Sequence, residues 1–392
     1  MAISKIQSDS ITDSAITSNK ISGGAIGVSD LGTQVQSALG TRNLIINGNM
    51  QIAQRATSVA GITSSGYYTV DRFSVPNINI GTWTQSQDTD VPSGQGFAKS
   101  LKMQCTSSAS LSAGSILEIH QLFEGQNVQH LKKGTANAES LTLSFWVKTN
   151  KTGTYTTSLI DNDNLRHIGA TYTVSSADTW EKKTITFSGD TSGALDNDNN
   201  VSLRVIFHLA LGTDWTSGTA ATVWEASIAA NRAVGQTVNL ADSTSNYINI
   251  TGVQLEVGDT ATPFENLPYD VQLARCQRYY YRLYDTAPNA NGRMIGTAFM
   301  WSTTAIRTFV TFPVTMRDLP SVESSNFTDA FSAYIASVEK YLPSLGVAFS
   351  GAESTRGCLV SGTITVAGTS GDAGYIRFKS TFGASLAFSA EL

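Results

Sequence analysis

The chain has 392 residues, a length that allows two or three domains, each large enough to bury its own core. Hydrophobic residues make up 41%, which is typical of a globular protein and excludes wholesale disorder. Charged residues make up only 15%, below the usual value of about 25%, which leaves a polar, weakly ionised surface. A net charge of -5 and the lack of Lys/Arg runs provide no basic field, so nucleic-acid binding is not expected.

The N-terminal residues contain no apolar run of signal-peptide length, and the sequence has no run of about 18 consecutive apolar residues. We therefore expect synthesis in the cytoplasm without a signal peptide, and no membrane insertion. The three cysteines, Cys105, Cys276 and Cys358, are far apart and form no CxxC pair. They predict neither a disulfide framework nor a zinc site.

An aliphatic residue recurs at every fifth position of the N-terminal segment, at Ile6, Ile11, Ile16, Ile21, Ile26 and Leu31. Neither the helix period of about 3.6 nor the strand period of about 2 produces this spacing. Most of the intervening residues are small or polar, so a single chain could not offset its ordering entropy. Identical chains wound in parallel would instead bury one aliphatic side chain per pentad on a common axis. The competing interpretation is a disordered polar leader.

A short helix at coiled-coil spacing is predicted directly after the pentads, with Leu31, Val35 and Leu39 on one face. A helix of about ten residues is marginal alone in water, so association is again implied. Residues 1–41 therefore predict an extended stalk and a helical collar that assemble several chains.

Short alternating runs bounded by turn residues predict a jelly-roll-like β-sandwich over residues 42–266. Apolar residues alternate without a miss in Val201–Leu211, and Leu143, Phe145 and Val147 alternate in the same way. The segment Tyr247–Val257 contains one strand in two registers, which predicts a bulge or bend at Thr251 and Gly252.

A connecting helix is predicted for residues 267–286, because Pro268 and Asp270 suit a first turn and residues 271–284 lack Gly and Pro. The consecutive Tyr279, Tyr280 and Tyr281 cannot all face one side, so at least one ring should pack on a neighbouring domain or subunit. A Pro/Asn/Gly-rich cluster at residues 287–292 then marks a boundary. The alternating strands beyond it predict a smaller C-terminal β-sandwich over residues 287–392.

Five blocks follow one another in a fixed order: residues 42–55, 68–73, 251–258, 260–265 and 276–281. These blocks, in this order, resemble bacteriophage tail-fibre proteins that carry a carbohydrate-binding-module-like sandwich. The resemblance implies a parallel homotrimer in the virion, at the phage tail. It also implies that the N-terminus binds a tail adaptor or tube protein and that the outer domains recognise a host surface glycan.

Other functions stay open, among them a head fibre or a purely structural adaptor. A non-viral secreted carbohydrate-binding module would have no use for the pentad stalk and should carry a signal peptide. A polysaccharide depolymerase would need paired carboxylates, for which Glu118 with Glu124, or Glu225 with Glu256, are candidates. Because such pairs occur in any chain with this many acids, we expect no enzymatic activity.

Glycan sites normally combine an aromatic ring, which contacts the C–H face of a sugar, with polar groups that bond its hydroxyls. Four aromatic residues in polar, loop-like surroundings are the predicted glycan-binding residues: Trp83, Trp215, Tyr67 and Tyr68. Burial in the core is the competing interpretation for each. Trp146 and Trp180 lie in or beside strong strands and are predicted core residues.

Two tetrapeptides with the sequence Asp-Asn-Asp-Asn occur at residues 161–164 and 196–199. Clustered hard oxygens suit Ca²⁺, which makes their carboxylates candidate ligands: Asp161, Asp163, Asp196 and Asp198. The EF-hand pattern is missing, and hairpin turns are the preferred interpretation. The resemblance implies a second possible calcium site, where the first and last strands of the sandwich meet, formed by Asn47, Asn49 and Glu256.

Overall fold

The computed structural model describes residues 42–284, 292–325, 330–364, 367–379 and 384–392. This part of the chain is mainly β, with one α-helix, and has no helix long and apolar enough to cross a membrane. The predicted stalk and collar lie outside the described residues, as do their axis residues Ile6, Ile11, Ile16, Ile21, Ile26, Leu31, Val35 and Leu39.

The middle segment folds into the predicted β-sandwich of two antiparallel sheets. The six-stranded sheet contains, in spatial order, β1 (Ser58–Ile62), β5 (Thr82–Asp88), β6 (Ser100–Ser107), β14 (Tyr247–Val257), β8 (Leu141–Thr149) and β11 (Glu181–Phe187). The eight-stranded sheet contains β13 (Glu225–Ala226), β10 (Arg166–Val174), β9 (Gly153–Asp161), β12 (Val201–Leu211), β7 (Ile116–Glu124), β3 (Ser74–Val75) and β2 (Gly66–Tyr67), with β4 (Asn77–Ile78) beside β7.

The alternating residues predicted for the core do form it. Phe145 of β8 and Phe207 of β12 meet edge-to-face across the two sheets, with ring centroids 4.9 Å apart. Because side chains alternate between the faces of a strand, the residues between them point to the outer faces. The predicted irregularity in β14 is also confirmed, since the pairing with β8 shifts between Thr251 and Gln254 and Gly252 has a φ of 61°.

The connecting helix is shorter than predicted. Helix α1 spans Tyr269–Gln277, and the residues after it form strand β15 (Tyr280–Tyr284), which pairs with β25 (Ser385–Ser389). The prediction of helix through residue 286 was therefore wrong, because the tyrosine-rich segment favours a strand once a sheet edge is available. The C-terminal unit consequently begins at β15 rather than at residue 287.

The C-terminal unit is a smaller two-sheet domain, as predicted. Its three-stranded sheet has the order β15, β25 and β18 (Ser321–Ser324). Its eight-stranded sheet contains β20 (Val338–Leu342), β19 (Phe331–Ile335), β24 (Ala373–Phe378), β16 (Met294–Met300), β17 (Ala305–Thr311), β23 (Gly357–Thr363) and β21 (Gly346–Val347), with β22 (Glu353–Ser354) beside β23.

The tyrosine triplet joins the two domains, as its consecutive aromatic positions predict. Tyr279 packs against the middle sandwich, where its hydroxyl bonds Glu124 and its ring centroid lies 3.4 Å from the Arg72 guanidinium. Tyr281 faces the C-terminal core and stacks on Phe388 at 6.3 Å. Tyr279 precedes β15 and Tyr281 lies within it, so strand alternation does not align their rings, and the triplet contacts both domains.

Candidate glycan-binding site

Two of the four predicted glycan-binding residues, Tyr67 and Tyr68, line one open groove between the domains. The groove has a volume of about 440 Å³, and the C-terminal domain contributes Tyr280, Arg282 and Glu323 to it. We call it the junction groove, defined by Arg55, Tyr67, Tyr68, Tyr280, Arg282 and Glu323. It brings aromatic rings beside charged groups, the combination that sugar recognition uses.

The side chain of Arg55 lies between the rings of the junction groove. Its guanidinium carbon is 3.6 Å from the Tyr280 ring centroid and 5.2 Å from that of Tyr67, and its Nη1 lies 3.3 Å from the Glu391 carboxylate. Tyr67 donates its hydroxyl to the Leu392 carbonyl at 3.2 Å. Burial, aided by the Glu391 charge, raises the pKa of Tyr67 to about 12, so this phenol remains a donor at neutral pH.

The other two predicted residues do not belong to the groove. Trp83 is fully buried in the sandwich core, and its indole N–H donates to the Ile80 carbonyl at 2.8 Å. The prediction that Trp83 binds glycan at the surface was wrong, because its position in β5 directs the side chain into the core. Trp215 is half-buried and packs against Ile116 and Leu211 at one end of the eight-stranded sheet.

The two tryptophans predicted to be core residues are instead partly exposed. Trp146 lies between the inward-facing Phe145 and Val147 of β8, so its side chain is on the outer face. Trp180 donates its indole N–H to Asp90 at 2.9 Å. The alternation of β8 was a sufficient signal for the outward position of Trp146.

In the second candidate calcium site, the side chains of Asn47 and Glu256 already bond protein groups. The Asn47 side-chain amide is fully buried and bonds the Ile52 and Asp71 backbone, with Oδ1 accepting from the Ile52 N–H at 2.9 Å. The Glu256 carboxylate instead accepts two hydrogen bonds from Thr262, at 2.9 and 2.6 Å. Asn49 is buried, and its side-chain oxygen has no described partner.

The Asp-Asn-Asp-Asn segments lie side by side. Residues 162–165 form the turn between β9 and β10, as the hairpin interpretation predicts, and the Asp163 carboxylate accepts the Asp196 N–H at 2.9 Å. Asp161 is buried against the ammonium of Lys133, and Asp198 accepts the Asn200 N–H at 2.9 Å. Among the described residues, no group of three or more His, Cys, Asp or Glu could hold a metal ion, so calcium stays a prediction.

The candidate catalytic pair Glu118 and Glu124 does not have the required geometry. Glu118 and Glu124 lie on the same strand, about 20 Å apart at roughly 3.3 Å per residue. Glycosidase carboxylates are about 5 to 9.5 Å apart. Glu225 and Glu256 belong to different sheets of the sandwich. The absence of enzymatic activity stays a prediction.

A buried polar network on the outer face of the eight-stranded sheet is the main feature that the sequence did not reveal. Glu118 binds His208 Nδ1 at 2.8 Å and His120 Nε2 at 2.6 Å, and His208 Nε2 bonds the Ser158 hydroxyl. The order of serine, imidazole and carboxylate is that of a hydrolase triad. Ser158 is only 1% exposed, however, so a substrate has no access to its hydroxyl in this structure.

No protein-family model and no curated protein matches the chain. Among solved structures, 55% of the chain aligns with 21% of bacteriophage CBA120 tailspike protein 4, at 13% identity and a TM-score of 0.30. The same share aligns with 100% of a candidate sugar binding protein from Bacteroides thetaiotaomicron VPI-5482, at 12% identity and a TM-score of 0.31. The family 11 carbohydrate-binding module of Clostridium thermocellum gives 56% and 97% coverage, 11% identity and a TM-score of 0.25.

The chain thus spans about a fifth of the tailspike protein's length. At these identities and TM-scores the likenesses identify neither a family nor a ligand, and no proposal below depends on them.

Proposed function

We propose that the chain is a bacteriophage tail-fibre protein that attaches the virion to glycans of the host cell surface and does so without catalysis. The observation that carries the proposal is the junction groove. It places the rings of Tyr67 and Tyr68 beside the cations of Arg55 and Arg282 and the carboxylate of Glu323. Aromatic faces suit sugar C–H surfaces, and the charged groups suit sugar hydroxyls.

Hydrogen bonds between the two domains restrain the junction groove. Arg282 Nη1 donates to the Gln54 carbonyl at 3.0 Å, and Gln54 in turn donates to the Tyr280 carbonyl at 2.6 Å, which connects the two domains across the groove. A groove fixed in this way loses little conformational entropy when a ligand binds.

The pentads supply the fibre part of the proposal. In this proposal, residues 1–41 assemble the chain as a parallel homotrimer and bind a tail adaptor or tube protein. The outer domains of several chains then contact the cell together. Many weak glycan contacts give strong attachment, because each further site acts at a high effective concentration.

An array of bacterial surface polysaccharides tests the proposal. The labelled full chain should bind a subset of the array, and Tyr68→Ala should weaken that binding by about fivefold or more, the loss of roughly 1 kcal/mol of ring contact. Glu323→Ala should also weaken it, and this exposed side chain can be removed without opening the core. Tyr269→Ala is the matched control, because Tyr269 is 59% exposed on helix α1 and outside the groove.

Binding to no polysaccharide would contradict the proposal. Binding that survives both groove substitutions would place recognition elsewhere on the protein.

A further inference from the structure

The outer face of the eight-stranded sheet carries a cationic cluster, which we call the arginine site and define by Arg204, Arg232, Glu118, His120 and His208. Arg204 and His208 share this face of β12, because they are an even number of residues apart. Glu118 lies opposite His208 on β7. The site therefore combines two guanidinium groups and two imidazoles with a single carboxylate.

Both oxygens of the carboxylate in this cluster already bond imidazoles. One oxygen of Glu118 bonds His120 at 2.6 Å and the other bonds His208 at 2.8 Å. The nearby Glu225 is engaged as well, since its Oε1 bonds His167 at 3.0 Å and the Asn231 amide at 2.7 Å. Neither acid neutralises the arginines through a direct bond.

Among the described residues, the guanidinium groups of the two arginines lack hydrogen-bond and ion-pair partners. Within the described residues, no hydrogen bond or ion pair joins the guanidinium of Arg204 or Arg232 to a protein group, and both side chains are half-buried. The Nε atoms of both arginines and the indole nitrogen of Trp215 are shielded from solvent without a partner. Burial, together with repulsion from Arg232, lowers the pKa of Arg204. Buried donors are costly to leave unpaired, and an acceptor in this region would satisfy these three.

The surroundings hold Arg232 in place and leave room for a ligand. The Arg232 guanidinium lies over the Trp215 ring at 4.6 Å, a cation–π contact that restrains the long side chain. A cavity of about 130 Å³ is lined by Arg232 together with Thr156, Gly169 and Asn231, whereas Arg204 is not part of its lining. This volume corresponds to roughly four water molecules, which is enough for a carboxylate or phosphate group.

We propose that Arg232 binds the anionic substituent of an acidic glycan, a carboxylate or a phosphate, and that Arg204 adds positive charge to the site. Guanidinium groups present paired N–H donors that match the two oxygens of such anions. An anion would also reduce the repulsion between the two arginines. The sugar part of this inference rests on the proposed function, whereas the anionic part rests on the arginines alone.

Titration calorimetry of the full chain tests the inference with sodium glucuronate, glucose and inorganic phosphate as probes. Glucuronate should bind, and Arg232→Gln should weaken it by about tenfold or more, the effect of losing a charge-assisted hydrogen bond. Arg204→Gln should weaken it less, because it removes only a nearby positive charge. Lys132→Gln is the matched control, because it removes the same charge from a lysine that is 54% exposed. Raising the salt concentration should weaken binding in the wild type.

Phosphate binding with the same sensitivity to the arginine variants would support the site and extend it to phosphorylated sugars. The inference is overturned if neither anion binds, if glucose binds as well as glucuronate, or if Arg232→Gln binds like the wild type. A failure of this inference is distinguishable from a failure of the proposed function, because the proposed function is tested by polysaccharide binding of the Tyr68→Ala and Glu323→Ala variants.

Discussion

The contact between Arg72 and Glu391 joins the two domains, and replacing Glu391 by Gln tests how strongly it does so. Arg72 has no exposed side-chain surface, and Glu391 is 7% exposed. Arg72 Nη1 bonds the Glu391 carboxylate, while Nη2 donates to the Leu122 carbonyl at 2.9 Å. The substitution keeps the shape of the side chain but leaves the guanidinium buried without a counter-charge.

The magnitude follows from this burial. Removing one partner of a buried ion pair costs about 3 to 5 kcal/mol, because the remaining charge has no water to solvate it. Gln can still accept one hydrogen bond, and the Tyr279 ring still lies 3.4 Å from the guanidinium. We therefore expect Glu391→Gln to lower the free energy of unfolding by about 3 kcal/mol, the lower end of that range.

Urea denaturation followed by tryptophan fluorescence measures the effect. Glu339→Gln is the control, because the Arg377–Glu339 pair is 15% and 30% exposed and should cost less than about 1 kcal/mol. Equal losses in the two variants, or a Glu391→Gln protein as stable as the wild type, would refute the reasoning.

Two further predictions concern stability. The free energy of unfolding should fall as the pH is lowered from about 7 to 3. Burial lowers the pKa of His120 below 6.5, and the two imidazoles, against the opposing effect of burial, hold the pKa of Glu118 well below 4.5. The stability contributed by His120 is complete above pH 6.5 and that contributed by Glu118 above pH 4.5, and each is lost as the pH falls through the pKa of the folded protein. In urea denaturation at a series of pH values, Glu118→Gln should make the midpoint depend less on pH. A wild-type midpoint that does not change with pH would contradict this. Gly48→Ala should lower the free energy of unfolding by about 1 to 3 kcal/mol, because the added Cβ would lie 2.0 Å from the Val253 carbonyl oxygen. Gly114→Ala is the control and should be near neutral in the same assay, because the nearest atom to its Cβ would be 3.6 Å away. Equal effects of the two substitutions would exclude the clash at Gly48.

The strands were predictable wherever apolar residues alternate along the sequence. In β12 and β8 the alternation of apolar residues identified both the strand and its inward face. The end of helix α1 was not predictable, because the strand identity of Tyr280 depends on β25, more than 100 residues later in the chain. Local helix signals cannot report such a distant partner.

The candidate site was predictable only in part. Tyr67 and Tyr68 were identified from their polar surroundings, but their neighbours Tyr280 and Arg282 come from the other domain. The bond between Glu118 and His208 depends on the register of β7 against β12, which no local pattern encodes. Trp83 shows the opposite error, because polar neighbours in sequence did not reveal its inward phase in β5.

Light scattering after gel filtration tests the fibre claim most directly, because attachment through many weak sites requires several chains in one particle. We predict a mass near three times 41.7 kDa for the full chain, and a loss of this assembly in a chain that begins at Asn43 and lacks the pentads. A full chain that remains at 41.7 kDa would contradict the fibre account.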